Sequence, residues 1–328
     1  MKNIAIVGAG VAGLTALQAL SEHGHKVTVF DKSRGSGGRL SSKKVNNSSW
    51  DMGAQFMRAH TEEFARQLKE WEAIGWVAEW EVIPWSINGT QRTASPDDVK
   101  RYVGMPRMTG LSRKMLEVAD DFVTQARITG TAFDNSTQQW TLTTEENAHF
   151  GPFDELIINT PPLQAIPLLP ESSALTETLE KVSMLPCWTL LLGFDTPLDC
   201  PFDAAFVKSG PISWIARNNS KPGRDSRETW VIQANSEWSE HMVEAAREAV
   251  QAELLDAFAT VTGTDCTASD LWLHRWLFSV PAQTPELGAL RDAEHNLTLC
   301  GDWCHKPAVE GAWLSGRRAA DLLTGADL

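Results

Sequence analysis

The chain opens with an apolar tetrad, Ile4-Ala5-Ile6-Val7, that runs directly into Gly8-Ala9-Gly10-Val11-Ala12-Gly13. That succession restricts the fold more than any other feature. A short apolar run bounded by glycine reads as a buried strand. Leu14, Leu17 and Leu20 then recur at helical spacing among Thr15, Gln18, Ser21 and Glu22, and Gly24 ends the helix. Lys26-Val27-Thr28-Val29-Phe30 is a second strand that finishes at Asp31. Strand, glycine turn, helix, strand and terminal acid make a complete βαβ opening.

Each part has a chemical use. Gly8 permits a tight turn, Gly10 lets the backbone approach a pyrophosphate, and Gly13 lets helix and strand pack closely, with small Ala12 in the same turn. The helix N-terminus offers free N–H groups and a partial positive charge to an anion. Asp31, eighteen residues beyond Gly13, can accept hydrogen bonds from a ribose diol. This motif alone does not separate NAD from FAD. The residues that follow do: Lys32-Ser33-Arg34-Gly35-Ser36-Gly37-Gly38-Arg39 is a second glycine-rich, basic turn. A cofactor with a ribityl-flavin arm reaches past the first pyrophosphate site and needs a second cradle, with Lys32 and Gly38 in it and Arg39 as a charged fork. Arg34, Lys43 and Lys44 read as solvated loop.

Composition narrows the partners. The 328 residues suffice for one large domain or two intermeshed ones, with 42% apolar and 22% charged residues as in ordinary globular chains. A net charge of -13 argues against nucleic acid, whose binding rests on clustered Lys and Arg. The five cysteines, Cys187, Cys200, Cys266, Cys300 and Cys304, include no CxxC pair and read as free thiols in a reducing compartment. No His-rich segment completes a metal site with Cys300 and Cys304. No apolar stretch reaches the roughly 18 residues of a membrane span, so a cytoplasmic protein with no membrane partner is expected. The 14 tryptophans against a single tyrosine read mainly as packing, with a few able to line an aromatic slot.

The acid followed by Gly37-Gly38-Arg39, then Asp51-Met52-Gly53-Ala54-Gln55, and late Gly301-Asp302 with Glu310-Gly311-Ala312, resemble the flavin amine oxidase superfamily. Within it the chain is most similar to the renalases, bacterial ones in particular. His274-Arg275-Trp276 and the run from Gly301-Asp302-Trp303-Cys304 to Ser315-Gly316 extend the likeness nearly end to end. The resemblance implies an α/β fold: a Rossmann-like FAD-binding domain with a β-meander and an inserted α+β substrate domain, of p-hydroxybenzoate hydroxylase/amine oxidase type. It implies noncovalent FAD, so Cys304 is structural. It also implies oxidation of the 2- and/or 6-dihydro isomers of NAD(P)H to NAD(P)+, with O2 reoxidising the flavin to give H2O2. An oxidase of a small amine or related C–N substrate and a non-catalytic flavin redox sensor are the alternatives.

Val123 to Pro162 reads as the β-meander, with strands at Gln139–Thr143 and Phe153–Thr160; Ile128 lies beside the adenine side of FAD or in plain core. Leu297 to Cys300 is a strand ending at Gly301-Asp302, and Val309-Glu310-Gly311 opens the last helix. By its family position Asp302 binds a ribityl or pyrophosphate-side hydroxyl. The last helix would direct its positive end at the flavin N1–C2=O edge, an effect of about 1 kcal/mol, with Glu310 either cofactor-facing or an ordinary first-turn acid. The tryptophan-rich stretches 76–107 and 165–286, with an amphipathic helix near 241–261, are assigned to the substrate domain, leaving 1–75, 108–164 and 287–328 for FAD. Gln55 and Phe56 are expected at the flavin, and Met57, Arg58, Ala59, His60 and Thr61 as a substrate wall. Cys187, Trp188 and Trp214 are further substrate candidates. Hydride transfer needs orientation more than an acid or base, so no catalytic residue is certain; His60 and His274 are candidates. The basic stretch from Trp214 through Arg217, Lys221 and Arg224 either receives a pyrophosphate or is a solvated loop. No second GxGxxG follows, so the reductant must be the substrate itself.

Overall fold

The computed structural model describes residues 1–46, 48–264 and 267–325; Cys266 lies outside the described residues. These residues form two compact units, drawn from 1–38, 111–184 and 281–325 in the first and from 39–110 and 185–280 in the second.

The first unit is built on a six-stranded sheet in the order Leu290–Asp292, Leu297–Leu299, Glu155–Ile158, Asn3–Val7, Lys26–Phe30, Asp121–Val123. Its pairings are parallel except at the Leu290–Asp292 edge. The central strands are apolar almost without interruption because both faces are covered, and Ile4, Ile6 and Leu156 are fully buried. The opening helix spans Val11–Glu22 and the closing one Val309–Thr324. They meet at backbone distance: a Cβ on Gly316 would lie 2.2 Å from the Ala12 carbonyl oxygen. Beside the sheet, Ile128–Asp134, Gln139–Thr144 and His149–Phe153 form the expected antiparallel meander.

The second unit holds a seven-stranded sheet, ordered Asp270–Pro281, Met184–Phe194, Glu228–Ala234, Ile212–Arg217, Ala204–Val207, Trp85–Asn88, Gln91–Ala94. Helix Arg247–Thr262 packs on it through Val250, Leu254 and Phe258. This α+β unit and the Rossmann-like first unit give the expected fold class. The helix starts later than expected. The Met242 carbonyl accepts from the Trp188 indole at 3.1 Å and that of Val243 from Arg275, so side chains take the bonds that would carry the preceding turn onward.

Residues 39–75 lie in the second unit. There Trp50 packs with Leu191 and Val231. Leu168, Leu179 and Val182 bury themselves in the first unit's core.

Candidate cofactor and substrate site

In the first unit the glycine turn has the geometry its sequence requires. Gly8 has φ +104°, in the region L side chains avoid, and a Cβ there would sit 2.7 Å from the Asn159 carbonyl oxygen. A Cβ on Gly13 would meet the Gly8 carbonyl oxygen at 2.5 Å. Gly10 precedes the opening helix and supplies no side-chain cap, and the first helical turn holds no acid. The first-turn N–H groups therefore have no intrahelical acceptor and face outward with the positive end of the dipole. Asp31 is held by the Ala9 N–H at 2.8 Å and the Ser33 N–H at 2.7 Å, and a carboxylate so bound keeps lone pairs for a diol. The second glycine turn is tied to the first, with the Gly37 N–H donating to the Ala9 carbonyl at 2.7 Å. Lys32 Nζ donates to Gln164 at 3.2 Å.

The closing segment lies in the same unit. Asp302 and Glu310 are buried, at 5% exposure each. Gly301 N–H donates to Ser315 Oγ at 2.9 Å, and a Cβ on Gly311 would fall 2.1 Å from the Lys306 carbonyl oxygen. The helix from Val309 has no side-chain cap at Ala308. Cys304 is buried, and burial, with Cys300 and Asp302 nearby, pushes its thiol well up. A thiol that stays protonated is a poor nucleophile. Ile128 is a member of the core cluster with Trp140 and Leu142.

The second unit contains a charge cluster that was not anticipated. Asp51 is wholly enclosed and accepts from Arg224 Nη2 at 2.5 Å and Nε at 3.2 Å, from Lys221 Nζ at 3.4 Å, from Ser42 Oγ at 2.9 Å and from the Met108 N–H at 3.0 Å. Burial alone would raise its pKa, but Lys221, Arg224 and these hydrogen bonds outweigh it and hold the carboxyl below its usual range. Burial pushes Lys221 down to about 8 against the pull of Asp51. The basic stretch is thus neither a solvated loop nor an open anion cradle, because its cations point inward. Arg217 likewise pairs with Asp203 at 3.2 Å and with Glu228 at 3.6 Å. Gln55 belongs to the same cluster: its amide donates to the Asp51 and Gly53 carbonyls at 2.6 and 3.0 Å and accepts from Lys221 at 3.0 Å. That side chain locks its own turn.

Comparison with known proteins agrees with this geometry. A model for an NAD(P)-binding Rossmann-like domain matches residues 6–71, and one for flavin containing amine oxidoreductase matches 101–324, more than half of the chain. The chain belongs to the flavin-containing amine oxidoreductase family. Over 50 residues it is 50% identical to a 4,4'-diapophytoene desaturase (4,4'-diaponeurosporene-forming) of Staphylococcus haemolyticus (strain JCSC1435), covering 15% of this chain and 10% of that enzyme. The chain therefore spans only about a tenth of that curated relative's length in the match. Among solved structures, a protein assigned as a protoporphyrinogen oxidase from Exiguobacterium sp. 255-15 is similar with TM-score 0.80 and 12% identity over 98% of both chains. A putrescine oxidase bound to putrescine gives 0.76 and 15% over 98% of this chain and 99% of that one. At these identities the likeness is one of fold.

The family's cofactor is FAD, and the residues present fit it: two linked glycine turns, an uncapped helix N-terminus and Asp31. The buried, protonated Cys304 fits noncovalent binding.

The expected substrate wall divides. Met57 is buried and exchanges backbone hydrogen bonds with Tyr102 at 2.7 and 2.8 Å. Arg58 and His60 are exposed, and Ala59 is half-buried. Thr61 caps helix Glu62–Ala73, accepting from the Phe64 N–H at 3.3 Å, which the run Thr61-Glu62-Glu63 already signals. Trp188 is core at 1% exposure, with Ser239 Oγ bonded to its N–H at 3.1 Å. Cys187 is buried beside it, and burial pushes its thiol up to about 11. His274 is half-buried against Trp276 at 4.4 Å; burial, Arg247 and Lys43 lower its pKa, so at neutral pH its ring is uncharged. Arg39 donates to the Ser279 carbonyl at 2.8 Å. Trp214 differs from all of these. Its ring lies 5.5 Å from Phe56 and 4.6 Å from Phe206, and its buried indole N–H has no partner among the described residues. No group of residues suited to a metal ion occurs among the described residues, and no helix there is long and apolar enough to cross a membrane.

Proposed function

We propose that the chain is a FAD-dependent oxidase of renalase type, oxidising 2- and/or 6-dihydro isomers of NAD(P)H to NAD(P)+ with O2 as final acceptor and H2O2 as product. Bound FAD supplies the two-electron acceptor for the substrate's hydride. Gly8, Gly10, Ala12, Gly13 and Gly38 would hold its pyrophosphate side and Asp31 its ribose. Lys32, Arg39, Asp302, Val309, Glu310 and Gly311 would serve the rest of the cofactor. The end-to-end motif resemblance and the single dinucleotide turn support this reading, since a lone turn leaves the reductant to arrive as substrate.

The observation that carries it is Trp214. An indole N–H only donates, and leaving it buried and unpaired costs roughly 1–3 kcal/mol. A protonated amine offers donors and no acceptor, and its free base offers a single lone pair, so an amine matches that N–H less well than an amide oxygen does. A dihydronicotinamide offers a carboxamide oxygen, which is an acceptor for this N–H. Trp214→Phe keeps an aromatic ring and removes the donor. It should lower kcat/KM for a 2- or 6-dihydro-NAD isomer about tenfold, equivalent to about 1.4 kcal/mol, with FAD content unchanged. An unaltered kcat/KM would remove the reason for preferring this substrate class over amines. A reducing, cytoplasmic setting belongs to this proposal.

A further inference from the structure

A second constellation occupies the first unit, among residues that the oxidase reading does not use. His295 lies in the turn between strands Leu290–Asp292 and Leu297–Leu299, and its Nδ1 lies 2.9 Å from Asp292 Oδ2. Its Nε2 lies 3.1 Å from Ser172 Oγ. The Asp292 carboxylate is fixed by a further bond from Ser173 Oγ at 2.7 Å. Burial would raise the Asp292 pKa, but the hydrogen bonds from Ser173 and His295 hold it below its usual value. An ionised carboxylate only accepts, so Nδ1 bears a proton, and in the neutral ring Nε2 then presents its lone pair to the Ser172 hydroxyl.

The imidazole is held firmly. Its side chain is 7% exposed, Phe133 meets it edge-on at 5.5 Å, and its backbone carbonyl accepts from the Trp140 indole at 2.8 Å. Ser172 itself is exposed. It opens on a cavity of about 140 Å³ whose wall includes Thr131, Phe133, Asn135 and Pro170. That volume accepts a short acyl group.

We propose that Ser172, His295 and Asp292 form a second, hydrolytic site for esters of small acyl groups. Ser172 Oγ adds to the acyl carbon as its proton passes to His295 Nε2. The ester C–O bond then breaks, and His295 returns the proton to the leaving alkoxide. Water repeats the sequence on the acyl-serine, releasing the carboxylic acid and restoring the Ser172 hydroxyl. Serine, histidine and aspartate in these roles are recognised by geometry rather than by chain order.

The test uses the FAD-loaded protein with p-nitrophenyl acetate as substrate and a fluorophosphonate as covalent probe. The proposal expects peptide mass analysis to find the phosphonyl adduct on Ser172. It also expects Ser172→Ala to lower p-nitrophenolate release at least tenfold, while FAD content, read from the flavin absorbance, is unchanged. Asp292→Asn, with its thermal midpoint measured alongside, should lower the rate of Ser172 labelling at least tenfold because it reverses the imidazole tautomer. Absence of an adduct on Ser172, or equal ester hydrolysis by wild type and Ser172→Ala, would overturn the proposal. Equal labelling of folded Asp292→Asn would overturn it too, by showing a serine that does not act through His295. None of these outcomes depends on the identity of the oxidase substrate.

Discussion

Asp51→Ala should cost about 3–5 kcal/mol of stability, the penalty for leaving buried charge uncompensated. Lys221 and Arg224 have side chains 0% and 1% exposed, so without Asp51 two cations remain in a closed interior. The loss is a large share of a typical domain's total of about 5–15 kcal/mol. Urea unfolding of the FAD-loaded protein measures it. Adding Lys221→Met to Asp51→Ala removes one stranded cation and should recover part of the loss. If the double variant is no more stable than the single one, the damage is not electrostatic.

The pH dependence follows from the same groups. The folded-state pKa of Asp51 is depressed, so its contribution is present above the unfolded value of roughly 4 and is lost as pH falls through the folded value. Lys221 is lowered from 10.5 to about 8, so the unfolded chain binds its proton more readily. Its contribution to stability therefore rises with pH between about 8 and 10.5 and is least below 8. Wild type should lose stability steeply in acid, and Asp51→Ala should lose much of that acid slope.

Gly13→Val should yield protein largely free of FAD. The added Cβ would lie 2.5 Å from the Gly8 backbone carbonyl oxygen, which cannot retreat without moving the strand–helix junction, and 2.8 Å from the Asn159 side-chain amide. The flavin-to-protein absorbance ratio after purification should fall steeply, and the Kd for FAD should rise at least about tenfold, equivalent to about 1.4 kcal/mol. Gly35→Ala is the control, since nothing lies within 4 Å of the new methyl group. It should keep its flavin. Equal FAD content in Gly13→Val and wild type would show that close strand–helix packing at the turn is dispensable.

The opening βαβ unit was legible because everything that specifies it is local: glycine spacing, helical periodicity and an acid at the strand end. The closing helix was legible from the same kind of signal, beginning at Val309 as expected. The Asp51 cluster was not. Its partners stand 170 and 173 residues away, and Lys221 and Arg224 look like loop cations because sequence does not say which way they point. Gln55 was correctly singled out as special, yet its amide serves the 51–55 turn. Trp188 and Trp214 are indistinguishable by type. Only the structure separates a tryptophan whose N–H is satisfied by Met242 from one whose N–H is left unpaired. Ser172 and His295 lie 123 residues apart, although the Asp292-to-His295 turn was open to local reading.

The central claim is that a dihydro-NAD(P) isomer is the reductant. Anaerobic mixing of the FAD-loaded protein with 2-dihydro-NAD, 6-dihydro-NAD, their NADP forms and a panel of small amines, followed at the oxidised flavin band near about 450 nm, tests it directly. The account predicts rapid bleaching by at least one dihydro isomer, slow or no bleaching by amines, and H2O2 on admission of air. Bleaching by amines alone would contradict it in favour of an amine oxidase, and no rapid bleaching by any of them would leave a flavin-binding redox sensor.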